Sequence, residues 1–211
     1  MKLHFRITLW ALVLGMLSSA FSVAAEDLNR LQQRLEGMKT LQGDFTQILF
    51  DDDGTVLEES QGEFALERPG KFYWHTQEPF EQLLVSDQQF LWLYDPDLEQ
   101  VTQRSYDQEQ VRGTPAAILS DDVDGLGENF SVQYKGADNG RQLFSLRPRV
   151  DKDLFQELLL AFTDEGLTEI RVRDNLGQLT IFTLVDVRRN EPVDQRLFEF
   201  EPPEGVDVLV D

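Results

Sequence analysis

The chain has 211 residues, of which 39 are acidic and 19 basic, giving a formal net charge of −20. That balance excludes a nucleic-acid partner and disfavours adhesion to anionic bilayers. With no cysteine in the sequence, disulfides contribute nothing and the fold must rest on its hydrophobic core.

The first 25 residues set Lys2 and Arg6 ahead of an apolar run from Ile7 to Leu17 and end in Val23-Ala24-Ala25. This predicts a Sec signal peptide cleaved after Ala25, with residues 26–211 exported as one domain. A membrane anchor would need about 18–20 apolar residues followed by a basic stop-transfer cluster, and the pattern supplies neither. Cleavage would leave Glu26 where a lipoprotein carries its acylated cysteine, so the exported chain is not expected to be lipidated itself.

Leu28, Leu31, Leu35 and Met38 recur at spacings of 3 or 4 and predict an amphipathic helix from Asp27 to Leu41, ending at Gly43. From Phe45 the pattern changes to short β-prone segments separated by turn signals at Asp51–Gly54, Pro69-Gly70 and Asp95-Pro96-Asp97, as in antiparallel hairpins. Between Gly62 and Arg68, Phe64 and Leu66 share one face and Glu63, Ala65 and Glu67 the other, so one face is covered and one wet. Arg68 falls on the covered side, where a cation needs partners. Two readings stay open: the strand ends there and the guanidinium reaches solvent, or its five donors latch carbonyls of a covering helix.

Phe72 and Trp74 share a face in the next segment, with His75 on the wet face at a strand end. Phe90-Leu91-Trp92-Leu93-Tyr94 is apolar on both faces, as in a strand covered on both sides. Whether these rings and leucines fill a core or line a cavity, composition does not decide. Thr114 as N-cap and Pro115 at the first helical position predict a second helix of about two turns, through Ile118 and Leu119. Further strands are predicted near 130–134, 141–147, 155–163, 167–173 and 178–188, with turns at 136–140, 164–166 and 175–177. Leu154, Phe155, Leu158, Leu159 and Phe162 would also fit a helix face, but the segment runs straight through a turn into another strand, which favours strand. Pro202-Pro203 predicts an extended tail crossing the sheet.

Two helices and ten or eleven strands imply an α+β domain with helices over one face of a curled antiparallel sheet. An outer-membrane barrel is excluded because outward positions carry Glu63, Glu67, Arg171 and Arg173 rather than an apolar girdle. Catalysis has no foothold either. His75 is the one histidine after Ala25, and the sequence holds no Gly-x-Ser-x-Gly elbow and no His-Glu-x-x-His zinc motif. Asp121-Asp122-Val123-Asp124-Gly125 has the look of a calcium loop, but Val132 stands where the bidentate glutamate should be. No enzyme, metal or cofactor is expected.

Taken together and in order, Glu67-Arg68-Pro69-Gly70-Lys71-Phe72-Tyr73-Trp74, Leu84-Val85-Ser86-Asp87, Leu91-Trp92-Leu93-Tyr94-Asp95-Pro96, Gly113-Thr114-Pro115, Leu176-Gly177-Gln178 and Phe198–Val208 closely resemble the LolA family of periplasmic outer-membrane lipoprotein carriers. The resemblance covers the chain from residue 26 onward. It implies an incomplete, unclosed antiparallel β-barrel of about 11 strands whose open concave side is covered by helices acting as a lid. It also implies a periplasmic chaperone that takes acylated lipoprotein cargo released by an inner-membrane ABC-type transporter, shelters the acyl chains in an apolar cavity, and delivers them to a receptor lipoprotein in the outer membrane. Arg68 matches the arginine that latches the lid in that family. Phe64, Leu66, Phe72, Trp74, Leu91, Leu93 and Phe182 are then expected to line the cavity, with Leu31, Leu35, Ile118 and Leu119 turned inward from the lid, in a monomer. The alternative is a periplasmic lipid- or lipoprotein-binding sensor on the same half-barrel.

Overall fold

The structure, a computed structural model, describes residues 24–106, 119–120, 123, 125–150 and 155–210. Residues 1–23, Thr114, Pro115, Ile118 and the aspartates 121, 122 and 124 therefore lie outside the described residues. One twelve-stranded sheet organises the chain: β1 (Thr40–Phe50), β2 (Val56–Glu67), β3 (Lys71–Glu78), β4 (Gln82–Asp87), β5 (Phe90–Asp95), β6 (Gln100–Ser105), β7 (Phe130–Asp138), β8 (Arg141–Pro148), β9 (Phe155–Phe162), β10 (Leu167–Asp174), β11 (Leu179–Arg189) and β12 (Asp207–Val210). Strands β1 to β6 form one antiparallel meander and β7 to β11 another, and the two are joined through β1 and β11. Because β12 and β7 are the two edges and do not pair, the barrel is incomplete, as expected. The twelfth strand comes from the tail. The tail crosses the convex face, where Phe200 and Val206, on either side of Pro202-Pro203, pack on Val85, Trp92 and Val101, and so enters the sheet parallel to β6.

Two glycines let the sheet curl. Gly43 sits at a register shift between β1 and β11, where a Cβ would come within 2.7 Å of the Val185 carbonyl oxygen. Gly62 sits at a bulge between β2 and β3, with the backbone of His75 and Thr76 against it. Bulges of this kind bend a strand and raise its twist. Each glycine lies opposite a phenylalanine, Gly43 facing Phe64 and Gly62 facing Phe45, and both rings are buried on the concave side.

That concave side holds the main core, from Leu31, Leu35 and Met38 through Phe45, Phe64 and Phe72 to Phe144, Leu158, Leu160 and Ile170. Residues 24–36, labelled α1, are helical and lie over it with Leu31 and Leu35 fully buried. The helix is shorter than the sequence predicts. It stops at Glu36, and Leu41 is already the second residue of β1. Met38 and Leu41 keep the helical spacing because both face the same core, one from a linker and one from a strand. Asn190 caps the helix end, donating from Nδ2 to the Gly37 carbonyl at 2.8 Å and accepting from the Lys39 N–H at 2.8 Å. No described helix is long and apolar enough to cross a membrane.

Segment 155–162 is a strand, paired on both sides, with Leu158, Leu160 and Phe162 buried. Two other expectations are corrected. Strand β7 runs on to Asp138, because Gly136 (φ +96°) forms a bulge inside the strand rather than part of the turn. His75 is not at a strand end but inside β3, where its Nε2 lies 2.9 Å from Glu81 Oε1 and its Nδ1 3.2 Å from the Tyr73 hydroxyl.

On the convex side Glu169, only 12 % exposed, bridges Arg141 at 3.1 Å and Arg171 at 2.6 Å. Glu169→Ala would leave two guanidinium groups facing each other across a half-buried site. The expected loss in urea unfolding is about 2 kcal/mol, below the range for a fully buried pair because both arginines reach solvent. A loss under about 0.5 kcal/mol would show the triad to be electrostatically idle.

Candidate functional site

Between β2, β3 and the covering residues lies a cavity of about 180 Å³, walled by Phe64, Ala65, Leu66, Phe72, Tyr73, Trp74, Leu84, Leu119, Ile170 and Phe182. Tyr73 and Ala65 border it but pack on the convex face, where the Tyr73 hydroxyl donates to Glu63 Oε1 at 3.0 Å, so the hydroxyl lies outside the cavity. Burial pushes the Tyr73 phenol well above its ordinary range, and the Glu63 carboxylate pushes it further, so the ring stays neutral. Four rings build the floor. Trp74 stacks on Phe45 at 4.2 Å between centroids, meets Phe182 edge-on at 5.3 Å and lies 5.6 Å from Phe64. Alternation in β2 and β3 sends Phe64, Leu66, Phe72 and Trp74 to one face, and the registers Phe64 to Trp74 and Leu66 to Phe72 bring them side by side.

Five of the seven predicted wall residues, Phe64, Leu66, Phe72, Trp74 and Phe182, thus border one cavity. Leu91 and Leu93 do not. Leu91 packs against the main core further along the sheet, and half-buried Leu93 stands across from Leu84 in β4. Of the covering residues, Leu119 closes the cavity, whereas Leu31 and Leu35 are buried in the adjoining core without touching it. Leu84 and Ile170 were not anticipated. Leu84 is the register partner of Trp74 and Ile170 that of Phe182, so strand register, which hydrophobic pattern alone does not supply, would have found both.

Arg68 follows the last residue of β2 directly, in the turn that gathers the covering segments. Its own N–H donates to the Lys39 carbonyl at 2.9 Å, next to the end of α1, and the Gly70 N–H donates to the Ser120 carbonyl at 2.8 Å, beside Leu119. Buried Ser86 in β4 donates from Oγ to the Gly70 carbonyl at 2.9 Å, and Gln88 Nε2 donates to that of Pro69. Gly70 has φ +72°, a left-handed conformation that a side chain would strain. The Arg68 Nε and Nη2 atoms are screened from solvent, so this part of the guanidinium does not reach water.

Along its outer side α1 is held by polar contacts. Gln32 Nε2 donates to the Val123 carbonyl at 3.1 Å, Arg34 Nη1 to the Thr163 carbonyl at 3.3 Å, and Asp27 accepts from the Tyr134 N–H at 3.1 Å. Lifting α1 would expose Leu31 and Leu35, at roughly 1.5–3 kcal/mol each.

Known proteins resemble this chain in sequence and in fold. The family model described as outer membrane lipoprotein carrier protein LolA matches residues 36–201. An outer-membrane lipoprotein carrier protein from Azotobacter vinelandii is 44 % identical over 201 residues, covering 94 % of this chain and 96 % of that one. One from Pseudomonas paraeruginosa is 40 % identical over 202 residues, with 94 % and 96 % covered. Among solved structures, an uncharacterised conserved protein from Thermus thermophilus superposes with a TM-score of 0.54 at 13 % identity, covering 89 % of this chain and 99 % of that one. A DUF1329 family protein from Desulfovibrio piger gives 0.50 at 12 %, over 84 % and 97 %. At such identities the structural likeness speaks for the fold.

Proposed function

Since this chain belongs to the LolA family of outer-membrane lipoprotein carrier proteins, we propose that the cavity between β2, β3 and Leu119 is where it takes up the acyl chains of its cargo. The protein is a carrier chaperone for lipoproteins and not an enzyme. It works in the periplasm, reached through cleavage after Ala25, receives cargo from an inner-membrane ABC-type lipoprotein-releasing transporter, and passes it to an outer-membrane receptor lipoprotein. The observation that carries the site is a small, almost wholly apolar hollow closed by Leu119, whose neighbour Ser120 is held at its carbonyl by the Gly70 N–H. At about 180 Å³ it falls short of the roughly 300–1,000 Å³ of ordinary ligand pockets, so uptake requires the lid to rise. A single chain costs on the order of 12 kcal/mol to expose to water, which rules out unassisted diffusion of the cargo.

Purified protein mixed with inner-membrane vesicles, ATP and a labelled lipoprotein should yield soluble one-to-one complexes. Cargo that stays in the membrane pellet would favour a sensor instead. Leu84→Trp should fill the hollow from the sheet side. Affinity for a fluorescent fatty-acid analogue should fall about tenfold, while the melting temperature stays level or rises. Undiminished affinity would place the acyl site elsewhere.

A further inference from the structure

Five hairpin turns lie at one end of the sheet, and each carries, at its tip or just beside it, a large apolar side chain left in solvent: Leu57, Phe80, Leu98, Val150 and Leu176, between 51 and 78 % exposed. Among the described residues, the turns at the opposite end carry none. A lone exposed leucine is ordinary, but a row of them along one rim is a patch. Charge divides the rim. Segments 51–59, 78–82 and 95–100 hold ten carboxylates and no lysine or arginine, whereas Arg147, Arg149 and Arg173 flank the other two turns. The three acidic hairpins are neighbours, since their strands follow one another from β6 to β1.

The same corner opens into the molecule. A hollow of about 370 Å³ is bordered by Phe80, Glu58, Glu81 and Asp95, and at its inner end by Trp74 and Phe182. Trp74, Leu84 and Phe182 also wall the apolar cavity, so the acidic hollow and the cavity adjoin across these three side chains. Whatever seats on these hairpins sits next to the side chains that the two hollows share.

We propose that the β1–β2, β3–β4 and β5–β6 hairpins form the docking surface for a protein partner whose face is basic and pitted with apolar pockets. This rests on the carrier reading, because the partner is then one that loads or unloads the cavity. Charge selects the occupant. Ten carboxylates without a cation would repel a second copy of this surface and an anionic bilayer alike, whereas lysines and arginines around apolar pockets would be drawn to it and would accept the tips.

Two double variants test the surface away from the cavity wall: Leu57→Ser with Leu98→Ser, and Glu59→Lys with Asp97→Lys. Both should keep the wild-type melting temperature and affinity for the fatty-acid analogue. Extraction of labelled lipoprotein from inner-membrane vesicles with ATP should slow about tenfold in each. Salt should slow the wild type while barely changing the charge-reversed pair. If wild type and variants extract equally fast, the docking surface is refuted and the carrier reading stands. If the wild type extracts nothing, the carrier reading itself falls. Wild-type dimers in sedimentation, or binding to protein-free phosphatidylcholine vesicles, abolished by Leu57→Ser with Leu98→Ser, would assign the patch to another occupant and overturn the proposal.

Discussion

Gly62→Ala is expected to destabilise the protein by about 3 kcal/mol or more, read as a drop in the urea midpoint. A methyl group there would fall on the carbonyl oxygen of His75 and come within 2.8 Å of its carbonyl carbon and 2.9 Å of Thr76 Cα. These are backbone atoms of a paired strand and cannot rotate aside. Relief requires β2 and β3 to part at the bulge, two residues from Phe64 on one strand and one from Trp74 on the other. The cavity wall should therefore loosen with the fold. Gly37→Ala serves as control, since its Cβ would meet nothing closer than 3.7 Å, and should change stability by less than about 1 kcal/mol. An unshifted midpoint for Gly62→Ala would mean that the sheet does not curl as described.

Arg68→Leu is expected to leave cargo uptake intact and to make release to the receptor about thirtyfold slower. In the proposed mode of uptake cargo would hold the lid open, so the free energy of reclosing would work against cargo affinity and help to expel it. Charge-assisted hydrogen bonds from a shielded guanidinium would contribute about 2 kcal/mol to the closed state. Leucine cannot make them and adds apolar surface where hydrocarbon tails would lie, so the loaded form gains on both counts. Arg68→Lys keeps the charge without the planar fork and should fall between. Release at the wild-type rate from Arg68→Leu would remove the latch.

The sheet could be read from the sequence because most of its hairpins carry a turn signal and alternation is strong in β2 and β3. What misled the pattern was a shared core. Met38 and Leu41 continue the rhythm of α1 though they belong to a linker and a strand, because periodicity records what faces the interior and not the backbone that brings it there. Gly136 looked like a turn and proved to be a bulge, as both use the same left-handed freedom. The parallel twelfth strand had no local signal at all, since its direction depends on where the tail crosses the convex face. The cavity was legible only as far as strand alternation reaches. Phe64, Leu66, Phe72 and Trp74 follow from one hairpin, whereas Leu84 and Ile170 enter through cross-strand register. Leu91 and Leu93 share the right face but lie too far along the sheet.

The seam between β1 and β11 has a consequence for how the molecule assembles. Each meander can zip up from neighbouring hairpins soon after it is made, but Thr46 meets Thr183 only when almost the whole polypeptide is available. Closing so long a loop carries a high entropic barrier, and until it is crossed both halves present bare ladder edges and greasy inner surfaces to their surroundings. A molecule that protects other proteins' hydrocarbon is thus, during its own maturation, open to the same hazard of sticking to whatever it meets.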